Sequence, residues 1–193
     1  MVLFTMINNP LQFKSPQVDD DLIQQIGENV PNAFVSFYEI THKILFSYIL
    51  SIVLDPHDAE DILQETYLKV RSSAHLYEPR GNPMAWIFTI AKNLSLMHLR
   101  TQKYVSGIVM DDLENHNNFS EVVDEDDRVL LETLIKELEE TERTVILLHA
   151  VSGFKLIEIS KNLSIPLPTV LSKYYRGLRK IRKSIQQREG VRS

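Results

Sequence analysis

Between Asp20 and Gln187 the apolar residues return every three or four positions wherever a clear period exists, and no run of alternating β-branched residues is long enough to build a sheet. That spacing gives each segment one apolar stripe and leaves one fold class, an all-α protein whose helices bury their stripes against one another. A chain of 193 residues holds one medium domain or two small ones, and two small helical domains joined by an acidic linker fit its internal breaks. With 44% hydrophobic and 24% charged residues, the composition is that of a folded protein.

The segment DDDLIQQIGEN is expected to form a short helix, and PNAFVSFYEITHKILFSYILSIVL a long one rich in buried positions. LDPHDAED then restarts the chain. Asp55 is placed to cap the next helix, Pro56 suits its first turn, and Asp58 meets the positive end of the helix dipole. In DAEDILQETYLKV, the residues Ala59, Ile62, Leu63, Thr66, Tyr67 and Val70 recur as one buried stripe, while Asp61, Gln64, Glu65 and Leu68 form another face. A break follows at HLYEPRGNP, with Asn82 placed to cap a helix that begins at Pro83. That helix is expected to bury Ile87, Ile90, Ala91 and Leu94 and to carry Thr89, Lys92, Asn93, Leu96 and Arg100 on its opposite side.

The text changes at residues 106–127, which are acidic, rich in asparagine and almost without period, and which read as a linker. The division is therefore a tail over 1–18, a first domain over 19–105, the linker over 106–127 and a second domain over 128–193. In the second domain Leu130, Leu131, Leu134, Ile135 and Leu138 mark one helix, and Val145, Ile146 and Leu148 mark the next, after a cap expected at Thr141. Gly153 ends it. FKLIEISKNL, the turn SIP and the long basic segment LPTVLSKYYRGLRKIRKSIQQR then read as helix, turn, helix.

In the last helix Val170, Tyr174, Leu178, Ile181 and Ile185 share the inner stripe, leaving Thr169, Ser172, Lys173, Tyr175, Arg176, Arg179, Lys180 and Lys183 largely outside it. A helix presented this way, polar at its start and cationic beyond, fits a DNA major groove, with early residues at base edges and cations on phosphates. The plain alternative is a solvated terminal helix whose cations favour its dipole. In the earlier loop and helix, Tyr77 and Trp86 are placed to stack on unpaired bases and Arg80, Lys92, Arg100 and Lys103 to face phosphates, against the plainer reading of both rings as core.

Catalytic readings fail. The chain has no cysteine, its six histidines form no metal-binding pair, no glycine-rich phosphate loop is present, and its carboxylates lie on outer faces and in the linker. No catalytic residue, metal ligand or cofactor is expected. The net charge of -5 hides a division between an acidic middle and a basic end. The amino-terminal segment lacks the basic flank and long apolar run of a secretory signal, and no later stretch is long enough to insert in a membrane, so a cytoplasmic protein is expected.

DAEDILQETYLKV, then NPMAWIFTIAKNLSLMHLR, then the helix-turn-helix together resemble, in type and order, extracytoplasmic-function sigma factors of the sigma-70 family. The resemblance runs from about Asp20 to Gln187. It implies a non-catalytic subunit that binds core RNA polymerase and directs it to promoters, with the first two segments as sigma domain 2 and the last as sigma domain 4. The polymerase-binding candidates are Asp58, Asp61, Gln64, Glu65 and Leu68, docking on the β′ clamp helices, with further contact to the β subunit. Those for the melted -10 element are Tyr77, Arg80, Asn82, Trp86, Lys92, Asn93 and Arg100. Those for the duplex -35 element are Thr169, Ser172, Lys173, Tyr175, Arg176 and Arg179. The resemblance also implies an anti-sigma partner. Leu167, Pro168 and Leu171 depart from the family by making the recognition-helix start apolar, and Ser160 and Ser164 replace its usual small turn residues. Two other readings stand beside this one: a helix-turn-helix regulator that never joins polymerase, and a degenerate sigma-like interaction module.

Overall fold

The second half of residues 33–53 is apolar around nearly the whole circumference of a helix, and such a helix is stable only when neighbours cover that half on every side. The computed structural model, which describes residues 18–106, 137–150 and 152–189, places this helix at the centre. Among the described residues there are seven α-helices and one 3-10 turn, with no strand. In chain order they are α1 (Asp20–Gly27), α2 (Ala33–Val53), α3 (Pro56–Ser73), the 3-10 turn (Ala74–Leu76), α4 (Pro83–Ser106), α5 (Glu140–Ala150), α6 (Leu156–Leu163) and α7 (Leu167–Glu189). The acidic segment from residue 107 and the helix expected over Leu130 to Ile135 lie outside the described residues, as do the side chains of Lys103 and Ile185.

Helix α2 packs against α1, α3, α4 and α5. Its valines, isoleucines and threonine lower its intrinsic helix propensity, so burial supplies what propensity does not. Phe37, Ile44, Leu45 and Ile49 are sealed, and the polar residues on the same helix return their hydroxyls to its own carbonyls: Thr41 to Phe37 at 2.7 Å and Ser47 to Lys43 at 2.7 Å. The chain leaves α2 through Leu54 in a left-handed conformation (φ 67°) and enters α3 at once, because Asp55 Oδ1 accepts from the His57 and Asp58 amides at 2.8 and 3.0 Å. The stripe expected on α3 is buried residue for residue. On α4, Met84, Ile87, Phe88 and Ala91 are buried, whereas Ile90 and Leu94 are only half-buried. The inward face is thus turned toward Phe88, which packs on Tyr48 with ring centroids 4.4 Å apart.

The carboxy-terminal helices bury Val145, Ile146, Leu148, Phe154, Ile159, Val170, Tyr174, Leu178 and Ile181. Thr141 does not cap α5: the helix starts at Glu140, and Thr141 lies inside its first turn. This unit also supplies the fourth wall of α2. Arg143 is buried, donates from Nε to the Ser51 carbonyl at 2.7 Å and from a terminal nitrogen to the Leu138 carbonyl at 3.1 Å. Ser51 and Thr144 share a hydrogen bond of 2.8 Å beside it. Ser51 sits in the last turn of α2, where carbonyls have no intrahelical donor, so Arg143 caps that end with charge of the sign the dipole favours. Burial pushes its guanidinium below the ordinary value, and nearby Glu140 pulls the other way.

The tightest approach of a glycine to another backbone is at the end of α1. A Cβ on Gly27 would lie 2.9 Å from the His75 nitrogen and 3.0 Å from the Ala74 carbonyl carbon, which are backbone atoms with no rotamer to yield. Gly27→Ala is therefore expected to destabilise the fold by about 1–3 kcal/mol despite the better helix propensity of alanine, read as a lower urea midpoint; a raised midpoint would show that the turn can move. Arg143→Met, which leaves the Ser51 and Leu138 carbonyls without this donor, is expected to cost about 1–3 kcal/mol and to enlarge the radius of gyration in X-ray scattering as the carboxy-terminal unit detaches.

Candidate polymerase and promoter surfaces

Asp61, Gln64, Glu65 and Leu68 all lie exposed on the outer side of α3, Leu68 at 69%, and none of these side chains has a partner among the described residues. Asp58 is placed differently. Its carboxylate faces α4, with His98 Nε2 at 3.1 Å from Oδ1 and Gln102 Nε2 donating to Oδ2 at 2.9 Å. It ties the start of α3 to α4 and belongs to the packing as much as to the outer face. An exposed aromatic that the sequence reading missed lies alongside: Tyr38 of α2 is 47% exposed, stacks on His42 and stands 5.0 Å from the Tyr67 ring. Its period placed it on α2 without telling which side of α2 would remain uncovered.

The loop between the 3-10 turn and α4 is organised by a residue that sequence reasoning did not single out. Asp20, in the first turn of α1, accepts from the Tyr77 hydroxyl with one oxygen and from the Gly81 amide at 2.8 Å with the other. Gly81 takes φ 71°, a conformation glycine adopts without strain. Burial, then the Asp20 hydrogen bond and charge, push the Tyr77 hydroxyl up to about 12. The Tyr77 ring packs 5.0 Å from Trp86, both half-buried, so the two rings form one shelf under the loop. Arg80 is exposed and pairs with Glu78 at 2.7 Å.

Asn82 does cap α4, its Oδ1 accepting from the Ala85 amide at 3.3 Å, and its Nδ2 donates to the Lys161 carbonyl of α6 at 3.1 Å. Lys92, Asn93 and Arg100 are exposed along α4. Lys92 also borders a cleft of about 290 Å³ between α4 and the helix-turn-helix, shared with Tyr48, Phe88, Glu140, Asn162 and Ile165. Part of the expected DNA face of α4 therefore meets the carboxy-terminal unit. Burial, with Glu140 adding to it, raises the Tyr48 hydroxyl to about 12 in the same place.

The turn SIP is closed by its own backbone and one hydroxyl. Ser164 is left-handed (φ 55°), the Ile165 amide donates to the Ser160 carbonyl at 3.0 Å, and the Ser160 hydroxyl returns to the Ile165 carbonyl at 2.7 Å. The serines at this turn thus hold it shut. Helix α7 leaves the turn with Thr169, Ser172, Tyr175, Arg176 and Arg179 exposed, as their spacing implied. Lys173 is turned aside: it pairs with Glu139 ahead of α5, and that hydrogen bond and charge hold the Glu139 carboxyl below the usual range. Among the described residues no group of three His, Asp or Glu side chains is arranged to hold a metal, and no helix is long and apolar enough to cross a membrane.

Two family profiles match the chain: Sigma-70 region 2 over residues 37–104 and Sigma-70, region 4 over residues 128–181. The first takes in most of α2, all of α3 and the loop between the 3-10 turn and α4, and the second ends within α7. The ECF RNA polymerase sigma factor SigK of Mycobacterium sp. (strain KMS) is 27% identical over 183 residues, covering 91% of this chain and 95% of that protein. SigW of Bacillus subtilis (strain 168), another ECF RNA polymerase sigma factor, is 27% identical over 177 residues, covering 85% and 95%. Among solved structures, CnrH in complex with the cytosolic domain of CnrY matches with a TM-score of 0.62 at 20% identity, covering 89% of this chain and 99% of that one. The sigma factor RpoE of Bartonella quintana, in complex with the anti-sigma factor NepR, matches with a TM-score of 0.61 at 20% identity, covering 80% and 98%. These two show the fold. With both sigma regions present in order and relatives that align along nearly their whole length, the chain belongs to the sigma-70 family as a factor of the extracytoplasmic-function type.

Proposed function

We propose that this sigma factor, which is not an enzyme and directs RNA polymerase to promoters, divides that work among three surfaces: the outer side of α3, the loop and outer side of α4, and the exposed line of α7. The observation that carries the reading is the outer face of α3. Asp61, Gln64, Glu65 and Leu68 are exposed and have no partner among the described residues, on a helix inside the region 2 match, which is what a docking face requires. Its acids around one leucine suit a basic, partly apolar surface, and the partner is the β′ clamp helices of core polymerase, with a further contact to the β subunit. Asp58 contributes by fixing the start of α3 on α4.

The -10 element is held single-stranded by Tyr77, Arg80, Asn82, Trp86, Lys92, Asn93 and Arg100. Extruding a base costs a few kcal/mol, and a loop already shaped by Asp20 offers a pocket with little further ordering. The -35 element is read as duplex by Thr169, Ser172 and Tyr175 at base edges, with Arg176 and Arg179 toward phosphates and Lys173 supporting the helix from behind. The two elements lie about 25 base pairs, or roughly 85 Å, apart along B-form DNA. Asn82 and Lys161 are in hydrogen-bond contact, so promoter binding separates the two units and breaks the Asn82 and Arg143 contacts. An anti-sigma partner of the kind seen with the RpoE relative acts by keeping those surfaces from polymerase, and the protein works in the cytoplasm.

The reading is tested by mixing the protein with core polymerase and a randomised promoter library and sequencing the run-off transcripts. A two-element motif is expected; duplex binding without core-dependent transcription would favour a regulator that never joins polymerase.

Two variants separate the surfaces. Asp61→Lys with Glu65→Lys is expected to abolish core binding in a fluorescence titration while shifting stability by no more than about 0.5 kcal/mol per substitution; normal core affinity in the folded variant would remove this face. Asp20→Ala is expected to leave core affinity unchanged and to slow open-complex formation by about tenfold, the equivalent of roughly 1.4 kcal/mol, as followed by permanganate reactivity of the -10 element.

A further inference from the structure

The cleft of about 290 Å³ between α4 and the helix-turn-helix is lined by a hydroxyl that the fold does not use. Tyr48 is 5% exposed, its ring is fixed against Phe88 with centroids 4.4 Å apart, and its hydroxyl has no hydrogen-bond partner among the described residues. The other buried hydroxyls of α2 are satisfied, Thr41 and Ser47 by carbonyls of the same helix and Ser51 by Thr144. A buried phenol ordinarily finds an acceptor, because an unpaired buried donor is costly. Burial, then Glu140, pushes this hydroxyl up to about 12, so it remains a neutral donor throughout the physiological pH range.

The rest of the cleft suits a small molecule that carries both signs of charge. Lys92 of α4 borders it from the first unit and Glu140, at the start of α5, from the second. Both are exposed, and neither has an ion-pair partner among the described residues, so the two charges face one cleft without neutralising each other. Buried Phe88 and half-buried Leu163 and Ile165 supply apolar walls. The volume stands at the lower limit of small-molecule sites, about 300 Å³, which suits an occupant of amino-acid size.

We propose that this cleft binds a free α-amino acid with an apolar side chain, and that the bound amino acid holds the two units together. Its carboxylate takes Lys92 and the Tyr48 hydroxyl, its ammonium takes Glu140, and its side chain lies against Phe88, Leu163 and Ile165. Tyr48, Phe88 and Lys92 belong to the first unit and Glu140, Leu163 and Ile165 to the second, so separation divides the site and releases the ligand. A ligand that binds only the joined form favours it by a factor of one plus the ratio of ligand concentration to Kd. Its effect on transcription rests on the reading that promoter binding parts the two units; the site itself does not.

The probes are L-phenylalanine and L-leucine, titrated into the full chain while its melting temperature is followed. Both are expected to raise it, whereas L-phenylalaninamide, which lacks the carboxylate, and N-acetyl-L-phenylalanine, which lacks the ammonium, are not. Tyr48→Phe is expected to melt at or above the parental temperature without ligand, since its hydroxyl gives up no partner, and to lose the rise. Glu140→Gln, at an exposed position, is expected to lose the rise as well. With core polymerase and a promoter recovered from the run-off library, ligand at about ten times its Kd is expected to raise the chain concentration needed for half-maximal promoter opening by up to about elevenfold. No rise with either amino acid, an equal rise with either blocked analogue, or a parental rise in Tyr48→Phe or Glu140→Gln would overturn the site. A rise that needs Tyr48 and leaves promoter opening unchanged would keep the site and overturn instead the reading that promoter binding parts the two units.

Discussion

Helix α2 cannot exist uncovered, and the arrangement of every other element follows from that constraint. Apart from Val35 and Tyr38, which stay exposed near its start, its apolar side chains are wholly or partly covered by α1, α3, α4 and α5. Each fully buried leucine, isoleucine or phenylalanine contributes about 1.5–3 kcal/mol relative to exposure, which outweighs the modest propensity cost of its β-branched residues. The same burial makes its last turn expensive to leave bare, because the carbonyls there have no helix donors. Arg143 answers that need from the carboxy-terminal unit, and so the packing of α2 joins both ends of the chain.

That shared wall has a functional consequence. The side of α4 expected to meet single-stranded DNA borders the helix-turn-helix across the cleft at Lys92, and the Asn82 amide is engaged by the Lys161 carbonyl. The interface includes buried polar contacts, Ser51 with Thr144 and Arg143 with the Ser51 carbonyl, beside apolar side chains. Hydrogen bonds of this kind contribute about 0.5–1.5 kcal/mol each when exchanged with water, a scale that binding to polymerase and promoter can exceed.

Electrostatics sort the surface by a second rule. Glu142 is buried where α5 meets α7, and the carboxylates at positions 139 and 142 hold Lys173 and Lys180 of α7 inward. What remains outward is a line of hydroxyl-bearing residues followed by arginines and a lysine. The helix thereby presents a graded face, neutral in its first turns and positive farther along.

Hydrophobic period and capping residues alone determined that the chain is helical, where α3 and α4 begin, and which stripe of α3 is buried, because these depend on neighbours within one turn. Asp55, Asn82 and the turn before α7 were legible for the same local reason. The segment quoted as DAEDILQETYLKV and the helix-turn-helix made the sigma resemblance visible before any contact was known. Tertiary structure decided the rest. Asp20 shapes a loop some sixty positions away, Arg143 caps a helix that precedes it by ninety-two residues, and Lys173 is committed to Glu139 rather than to solvent. A helical wheel ranks residues by side but does not say which neighbour arrives there. Charge pairing and end-capping between elements act over a few ångströms in space and across any distance in sequence, so only the folded arrangement could assign them.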